Sequence, residues 1–495
     1  MRSLATRAIR GVAWTIATSL GSRALGMIGT LLLVRWVAPE EYGVVGVAAV
    51  VMMTASQVST LGAGVYVIAH PSAGRAVAFH ATVIHLVLGL LVLGGTLAVG
   101  PWLAPWFDAP ALMRFLPGMA LSVLLDRVTF MPERVLARDL RFGRRAAARS
   151  VGELAYTFVS VGAAVAGAGG MAVVWGNLAR SALRMIVMVA SVDRREWIEP
   201  HPISGPTLRT LSSYGSVILV GASCQFGCRY WDNAMVAHLF GPAVMSAYQL
   251  AYNLADVPAV QVGEHVGDVL LPSFVRMEPE LRPAALLRSM ALLGLLVFPL
   301  AVGLGAVSST VGDVLFPKQW AGVGGMLMLL SGLSVPRPVA GALAAYLVAR
   351  DRTRPLMLLD AAQLALLLGG IATVGALGPL WTCGVVGVVF AARAIANMWL
   401  VRAVDGIPIR RFLARLAPPL AACIPLVAGV LAARWGLARA GVGGRVLPLL
   451  GEVAGGAAGY TFGALVIART ATRDLLDLTR RTLLRRSPGA AAASG

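Results

Sequence analysis

The sequence predicts an all-α polytopic membrane protein with about fourteen transmembrane helices, and three observations lead to this prediction. Hydrophobic residues make up 58% and charged residues only 13% of the 495 positions, and the mean hydropathy is +0.77. A soluble chain of this length would lack the polar groups needed to cover its surface. The apolar residues also recur in runs of roughly 20, the length at which a helix crosses the hydrocarbon layer.

The predicted spans follow one another with short connections. They lie approximately at 12–36, 43–66, 77–100, 111–131, 147–168, 170–192, 211–238, 243–272, 286–310, 322–348, 356–377, 379–401, 416–436 and 447–468. The first span follows a charged N-terminus and carries Arg23 at its centre, with no convincing cleavage site. We therefore expect it to be a retained helix and not a signal peptide.

The basic residues fix the expected orientation. About 29 fall in alternate loops on one face, and about six fall in the loops of the other face. Lys and Arg hold loops on the cytoplasmic side, so both termini are predicted to be cytoplasmic. This placement also accounts for the net charge of +19, so we do not expect a nucleic-acid partner.

The charged, proline-rich stretch 193–210 ("DRREWIEPHPISGPTLRT") separates six predicted spans from the next six. Pro39, after the first span, and Pro242, after the seventh, occupy matching places in the two halves. A repeated six-helix unit indicates two lobes. The predicted organisation is an N-terminal lobe at 1–200, a C-terminal lobe at 201–410, two additional helices at 411–470 and a basic cytoplasmic tail at 471–495.

Two features near the C-terminus predict local packing. Gly455, Gly459 and Gly463 form a row of small residues suited to close helix contact on the last span. The stretch 469–486 ("RTATRDLLDLTRRTLLRR") has the pattern of a basic amphipathic helix lying on the inner membrane surface.

The sequence lacks the motifs that are typical of several other function classes. The sequence contains no G-x-x-x-x-G-K-[ST] phosphate loop and no H-E-x-x-H metal motif, and its predicted loops do not exceed about 20 residues. Cys224 and Cys228 lack the spacing and the second ligand pair of a zinc site. We predict no catalytic residues, no metal site and no cofactor.

Ionisable residues inside the apolar spans are the functional candidates, because each costs about 2.5–3.5 kcal/mol at the bilayer centre. Arg23 lies on a polar stripe of the first span. Arg229, Asp232 and Asn233 share one face of the seventh. The two arginines lie at comparable depths and can face one central cavity. The alternatives are a structural Arg23 bound to carbonyls of neighbouring helices, and a self-neutralised Arg229–Asp232 pair that fixes helix packing.

A second acidic group follows in the eighth span. Asp256, Glu264 and Asp268 lie on one stripe that Pro258 is expected to kink. Crowded, desolvated carboxylates can take up protons or cations, so these residues are candidates for ion coupling. The alternative for Glu264 and Asp268 is a solvated place near the cytoplasmic mouth.

The fourth span carries Asp126, Arg127, Glu133 and Arg134, followed by the arginine-rich stretch 132–149. One interpretation is a topology anchor that contacts anionic lipid. The other is a basic mouth that attracts a phosphate-bearing substrate, with Arg127 among the binding residues.

Four stretches stand out by their order and spacing: "LLLVRWVAPEEYGVVGVA" (31–48), "PERVLARDLRF" (132–142), "RYWDNAMVAHLFGPAVMSAYQLAYNLADVP" (229–258) and "VLLPSFVRMEPELR" (269–282). Together they resemble the polysaccharide transporter family, the O-antigen and exopolysaccharide flippases of the multidrug/oligosaccharidyl-lipid/polysaccharide superfamily.

The resemblance implies a fourteen-helix transporter that moves an undecaprenyl-diphosphate-linked oligosaccharide across a bacterial inner membrane by alternating access. A proton or sodium gradient is the implied driving force, and a polysaccharide polymerase and chain-length machinery are implied partners. Arg23 and Arg229 would bind the diphosphate, since the planar guanidinium donates two bonds at once. Asp232 would hold Arg229 in place.

Three other functions stay open at this point. The first is a drug or cation antiporter of the same superfamily, against which the paired arginines argue. The second is a membrane polysaccharide polymerase or ligase, which the short outer loops disfavour. The third is a scaffold that recruits polymer-assembly partners through its basic tail.

Overall fold

The computed structural model describes residues 21, 25–60, 74–139, 141–258, 270 and 273–484. All regular secondary structure within these ranges is helical. Ten helices or consecutive helix pairs there are long and apolar enough to cross a membrane, so the chain is a multi-pass helical membrane protein. The count of fourteen spans remains a prediction, because the first predicted span lies partly outside the described residues.

The helices fall into two compact units that divide between Tyr248 and Gln249. The first unit contains α1 (residues 25–33), α2 (Pro39–Val58), α3 (Gly74–Trp106), α4 (Leu112–Arg138), α5 (Phe142–Val165), α6 (Met171–Ala190) and most of α7 (Gly205–Pro258). The second contains α8 (Arg282–Ala306), α9 (Ser308–Leu315), α10 (Val323–Ser331), α11 (Pro336–Ala349), α12 (Thr353–Thr373), α13 (Pro379–Asp405), α14 (Ile409–Ala421), α15 (Cys423–Arg439), α16 (Val446–Val466) and α17 (Arg469–Leu484).

In the first unit, α6 packs against α4 and α5, and α4 also packs against α2 and α3. The connection between α6 and α7 is held against this bundle although it is charged and rich in proline. Trp197 is only 3% exposed, and its carbonyl accepts a hydrogen bond from Thr82 of α3 at 3.1 Å. The backbone N–H of Ser204 donates to His80 at 2.8 Å. The linker is therefore a packed part of the first unit.

Helix α7 consists of two arms that meet at Gly241, where the backbone is not helical (φ 81°, ψ 169°). This positive φ suits glycine, and the following Pro242 suits the first position of the second arm. The break lies in the gap predicted between the seventh and eighth spans. A Cβ atom added at Gly43 of α2 would lie 1.9 Å from the Pro242 carbonyl oxygen. Because glycine has no Cβ, α2 can approach the second arm at this point.

In the second unit, α8 is the central helix and contacts α10, α11, α14, α15 and α17. An apolar cluster joins it to α11, α13 and α14 through Phe298, Tyr346, Met398 and Phe412, all of which are buried.

The predicted row of small residues on the last span is confirmed as a close helix contact. Helix α16 packs backbone to backbone against α15. An added Cβ at Gly459 would lie 2.1 Å from the Pro425 carbonyl oxygen, and one at Gly463 would lie 2.5 Å from that of Ala422. Only glycine permits this separation, because the space for Cβ is filled by the neighbouring backbone.

The C-terminal stretch is helical, as its pattern predicts, over α17. The start of α17 packs against the bundle, where Ala468 and Ala471 are buried with Ala291 and Leu295 of α8. The hydroxyl of Thr472 donates to the Ala464 carbonyl at 2.8 Å. The tail is thus continuous with the second unit at its first two turns.

Replacing Gly459 with leucine is expected to lower the stability of the purified protein by about 1–3 kcal/mol, because the larger side chain separates α15 from α16. Thermal unfolding in detergent measures the effect. Ala458→Leu is the matched control, since Ala458 is exposed on the same helix. Equal melting temperatures for the two variants would contradict the close packing.

Candidate functional site

The predicted residues Asp232 and Asn233 lie in the first arm of α7 and are buried, with exposures of 0% and 3%. The Tyr248 hydroxyl donates to Asp232 Oδ2 at 2.7 Å, and the Asn233 backbone N–H donates to Asp232 Oδ1 at 2.8 Å. Tyr248 belongs to the second arm. The carboxylate is therefore bound from both sides of the Gly241 break, and this interaction helps to fix the angle between the arms.

Arg229 lies about one turn before Asp232 on the same arm and is half-buried. Its guanidinium carbon lies 5.8 Å from the centre of the Tyr230 ring, within cation–π range. The neighbouring Trp231 donates to Thr54 of α2 at 3.1 Å and anchors this part of α7 to α2. The seventh predicted span thus carries a cation one turn before a buried carboxylate that accepts two hydrogen bonds.

Arg23 lies outside the described residues, but the adjoining part of its polar stripe is described. A Cβ at Gly26 would lie 3.1 Å from the Glu153 carboxylate of α5, and one at Gly29 would lie 2.8 Å from the Thr157 hydroxyl. The stripe of α1 therefore faces polar side chains of α5.

Those side chains belong to a polar cluster that was not predicted from the sequence. Arg180 of α6 lies 3.8 Å from the Glu153 carboxylate, and its guanidinium carbon is 5.0 Å from the Tyr156 ring centre. It also donates to the amide oxygen of Asn177. The Arg180 side chain remains 35% exposed. The signal in the sequence was present, since Glu153 and Arg180 interrupt the fifth and sixth predicted spans.

Arg127 is 3% exposed and is enclosed by helices α2, α3 and α4. Its guanidinium donates to the carbonyl oxygens of His85 and Ser56, at 2.6 Å each, and to the Ser59 hydroxyl. Gly89 makes room for it, because a Cβ there would lie 2.3 Å from Nη1. In this conformation Arg127 cross-links three helices, and its role in binding a substrate stays a prediction.

The two carboxylates of the fourth span, Asp126 and Glu133, have arginine partners on other helices. Glu133 accepts from Arg145 at 2.7 Å and from Arg184 at 2.8 Å, and Arg184 lies 3.5 Å from Asp126. Two carboxylates and two guanidinium groups thus join α4, α5 and α6. Because Arg145 is bound to Glu133, part of the basic stretch 132–149 is neutralised within the protein.

Asp256 is buried at the end of α7, in the second unit, and forms an ion pair with Arg337 of α11. The Arg337 guanidinium also lies 3.4 Å from the Tyr252 hydroxyl and 5.6 Å from the Phe390 ring centre. Arg337 was not among the residues predicted from the sequence, although an arginine between two prolines within a predicted span was a signal. Glu264 and Asp268, the other predicted ion-coupling residues, lie outside the described residues.

Two further carboxylates of the second unit, the buried Glu452 and the partly buried Asp360, also have arginine partners. Glu452 is 1% exposed and accepts from Arg434 at 2.8 Å and from Thr310 at 2.9 Å. Arg393 lies 2.8 Å from Asp360. Arginine partners reduce the cost of burying these charges. Within the described ranges, no three His, Cys, Asp or Glu side chains are grouped so that they could hold a metal ion.

Comparison with known proteins gives consistent matches. A family model described as "Polysaccharide biosynthesis protein" matches residues 32–324. The chain is 25% identical over 498 residues to the succinoglycan biosynthesis transport protein ExoT of Rhizobium meliloti (strain 1021), covering 98% of each chain. It is 20% identical to the lipopolysaccharide biosynthesis protein WzxC of Escherichia coli (strain K12), covering 71% of each.

Among solved structures, the fold is similar to that of the lipid II flippase MurJ in an inward closed conformation, with a TM-score of 0.78. The match covers 94% of this chain and 100% of that one, at 13% sequence identity. At this identity the similarity concerns the fold alone.

Arg127→Met is expected to lower stability by about 2–3 kcal/mol or more, because two carbonyl groups and a hydroxyl lose a buried donor. Thermal unfolding and the yield of folded protein measure this. Arg114→Met is the control, since Arg114 is exposed on the same helix. A stable Arg127→Met protein would instead favour the predicted role in binding substrate.

Arg337→Gln and Asp256→Asn should each destabilise the protein, by about 3–5 kcal/mol where a buried charge is left unpaired. The double variant should recover much of that loss. A double-mutant cycle measures the coupling free energy of the two residues from the free energies of unfolding. The control is the exposed Arg75–Glu199 pair, whose coupling free energy should be less than about 1 kcal/mol. Additive effects at Asp256 and Arg337 would show that the two do not act as a pair.

Proposed function

This chain belongs to the polysaccharide biosynthesis protein family, and from that premise we propose that it is a flippase for lipid-linked oligosaccharides. Its substrate is an undecaprenyl-diphosphate-linked repeat unit of a polysaccharide, which it moves across a bacterial inner membrane. The relative that it matches over 98% of its length is named a transport protein, and the structural neighbour is a flippase. Both support the proposal.

The observation that carries it is a cation on α7 beside a buried carboxylate. Asp232 and Asn233 are buried one turn from the half-buried Arg229. An ionisable group inside a membrane-spanning segment is costly and marks a substrate or ion pathway. A diphosphate requires cationic donors in such a place, and arginine supplies two hydrogen bonds in the plane of its guanidinium.

In this mechanism Arg229 and Arg23 bind the diphosphate from the cytoplasmic side. Asp232 orients Arg229 and limits its positive charge, so that the anion can leave. We add Arg180 to the predicted set, because its guanidinium is partly exposed and lies beside Glu153, whose carboxylate faces α1. Asn233, which lies on α7 with Arg229, supplies a side-chain amide to the same site. Arg127 supports this arrangement by cross-linking α2, α3 and α4.

Transport proceeds by alternating access in a fourteen-span protein with two six-helix lobes, at 1–200 and 201–410. The two helices at 411–470 and the tail at 471–495 complete it, and both termini are cytoplasmic. The Asp232–Tyr248 bond across Gly241 is a polar contact that a change in the angle of α7 would break or form. This makes α7 a suitable moving element.

A proton or sodium gradient drives the cycle through Asp256, Glu264 and Asp268. Asp256 is paired with Arg337, so an incoming cation competes with the guanidinium for the same carboxylate. Binding of the cation would release Arg337 and alter the contact between α7 and α11. A polysaccharide polymerase and its chain-length machinery would use the translocated unit.

Arg23→Gln and Arg229→Gln are each expected to reduce translocation at least tenfold, because each removes a charge-assisted bond to the diphosphate. The assay is movement of a fluorescent undecaprenyl-diphosphate oligosaccharide across vesicles that contain the purified protein. Arg209→Gln, at an exposed position of α7, should retain full activity.

Full activity of both arginine variants would refute the diphosphate site. Two further measurements separate the competing functions. Export of lipophilic cations by the same vesicles would identify a drug antiporter, and sugar transfer by the purified protein would identify a polymerase or ligase.

A further inference from the structure

A cavity of about 510 Å³ lies beside Lys318 and Arg445, and a second of about 500 Å³ lies among α8, α14 and the tail helix α17. The second cavity has the stronger charge. Its lining includes Arg288 of α8, Arg411 and Arg415 of α14, and Asp474 of α17. No described residue of the proposed substrate or ion sites lines it. Its volume is in the range of a small-ligand site.

The two arginines of α14 give the cavity its positive charge. Arg411 and Arg415 are one turn apart and exposed, while Phe412 and Leu416, on the other face of α14, are buried in the apolar cluster. Within the described part of the chain, neither guanidinium has a carboxylate within 4 Å. With Arg288 and Asp474 included, the lining carries three positive charges and one negative charge.

Helix α17 closes one side of the cavity. Arg288 lies 3.3 Å from Asp474, and both side chains are about half exposed. The buried Ala471 fixes the helix against α8. Asp474 therefore occupies one of three guanidinium groups and leaves two available for an anion.

Apart from Thr470, the remaining lining is apolar and comes from Leu287, Ala291, Ala414, Pro418, Pro419 and Ala471. The charge distribution of the loops predicts that this end of the second unit faces the cytoplasm, at the depth of the lipid headgroups. A ligand in this cavity contacts guanidinium groups together with apolar side chains.

We infer that this cavity binds the headgroup phosphate of an anionic phospholipid, with Arg411 and Arg415 as the phosphate ligands. Arginine forks match phosphate oxygens, and basic pockets between helices on the cytoplasmic side suit anionic headgroups. The apolar walls favour a phosphate that carries acyl chains over free phosphate. Asp474 weakens the site, and through Arg288 it couples lipid binding to the position of the tail helix.

The test is binding of dioleoylphosphatidylglycerol to the full-length protein in neutral detergent, measured by native mass spectrometry against dioleoylphosphatidylcholine. Arg411→Gln/Arg415→Gln should weaken phosphatidylglycerol binding about thirtyfold. Arg410→Gln/Arg469→Gln is the matched control. It removes two exposed arginines near the cavity that do not line it, and should change the affinity less than about twofold.

Asp474→Asn should strengthen binding about fivefold, because it removes the negative charge from the lining. A gain in affinity cannot arise from misfolding, so this variant supports the site even if the double variant is unstable. Unchanged binding in Arg411→Gln/Arg415→Gln, or an equal loss in the control, would overturn the proposal.

Competition identifies the source of the phosphate. Inorganic phosphate and undecaprenyl diphosphate are each added to the complex with phosphatidylglycerol. Weak displacement by both supports a phospholipid site. Displacement by equimolar inorganic phosphate would show that acyl chains play no part, and displacement by equimolar undecaprenyl diphosphate would assign the cavity to the transported lipid. Either result would overturn the phospholipid assignment.

Discussion

Buried charge is the constraint on which this membrane protein depends. Carboxylates and guanidinium groups lie within helices that are otherwise apolar, where an unpaired charge is costly. Asp256 has Arg337 as its partner, and Glu452 has Arg434 and Thr310. In each case the two partners lie on different helices. The polar contacts therefore determine which helices can be neighbours as well as how charge is compensated.

Small residues provide the space that these polar contacts need. The guanidinium of Arg127 reaches the backbone carbonyls of two other helices only because Gly89 lacks a side chain. The same absence of Cβ lets α16 approach α15 at Gly459. Between helices in a membrane, close van der Waals contact and hydrogen bonding take the place of the hydrophobic effect. Glycines and buried arginines thus act together in this fold.

The proposed transport function depends on two polar contacts that can break and re-form, the Asp256–Arg337 ion pair and the Asp232–Tyr248 hydrogen bond. A cation that binds Asp256 competes with Arg337, and the Tyr248 bond to Asp232 spans the break in α7. Both contacts involve this helix, which contains the proposed diphosphate-binding residue Arg229. The phospholipid site on α14 and α17 would act at a different place, where membrane composition could set the position of the tail.

The sequence alone determined the membrane class, the helical architecture, the gap near Gly241 and the glycine row of α16, because hydropathy and residue size act locally along the chain. It also identified Asp232 and Asp256 as ionisable residues within spans. It did not reveal the partner of Asp256, since Arg337 is 81 positions away, nor the Glu153–Arg180 cluster. Only the tertiary structure decided those pairings, because hydropathy records the cost of a buried charge and not the neighbour that compensates it.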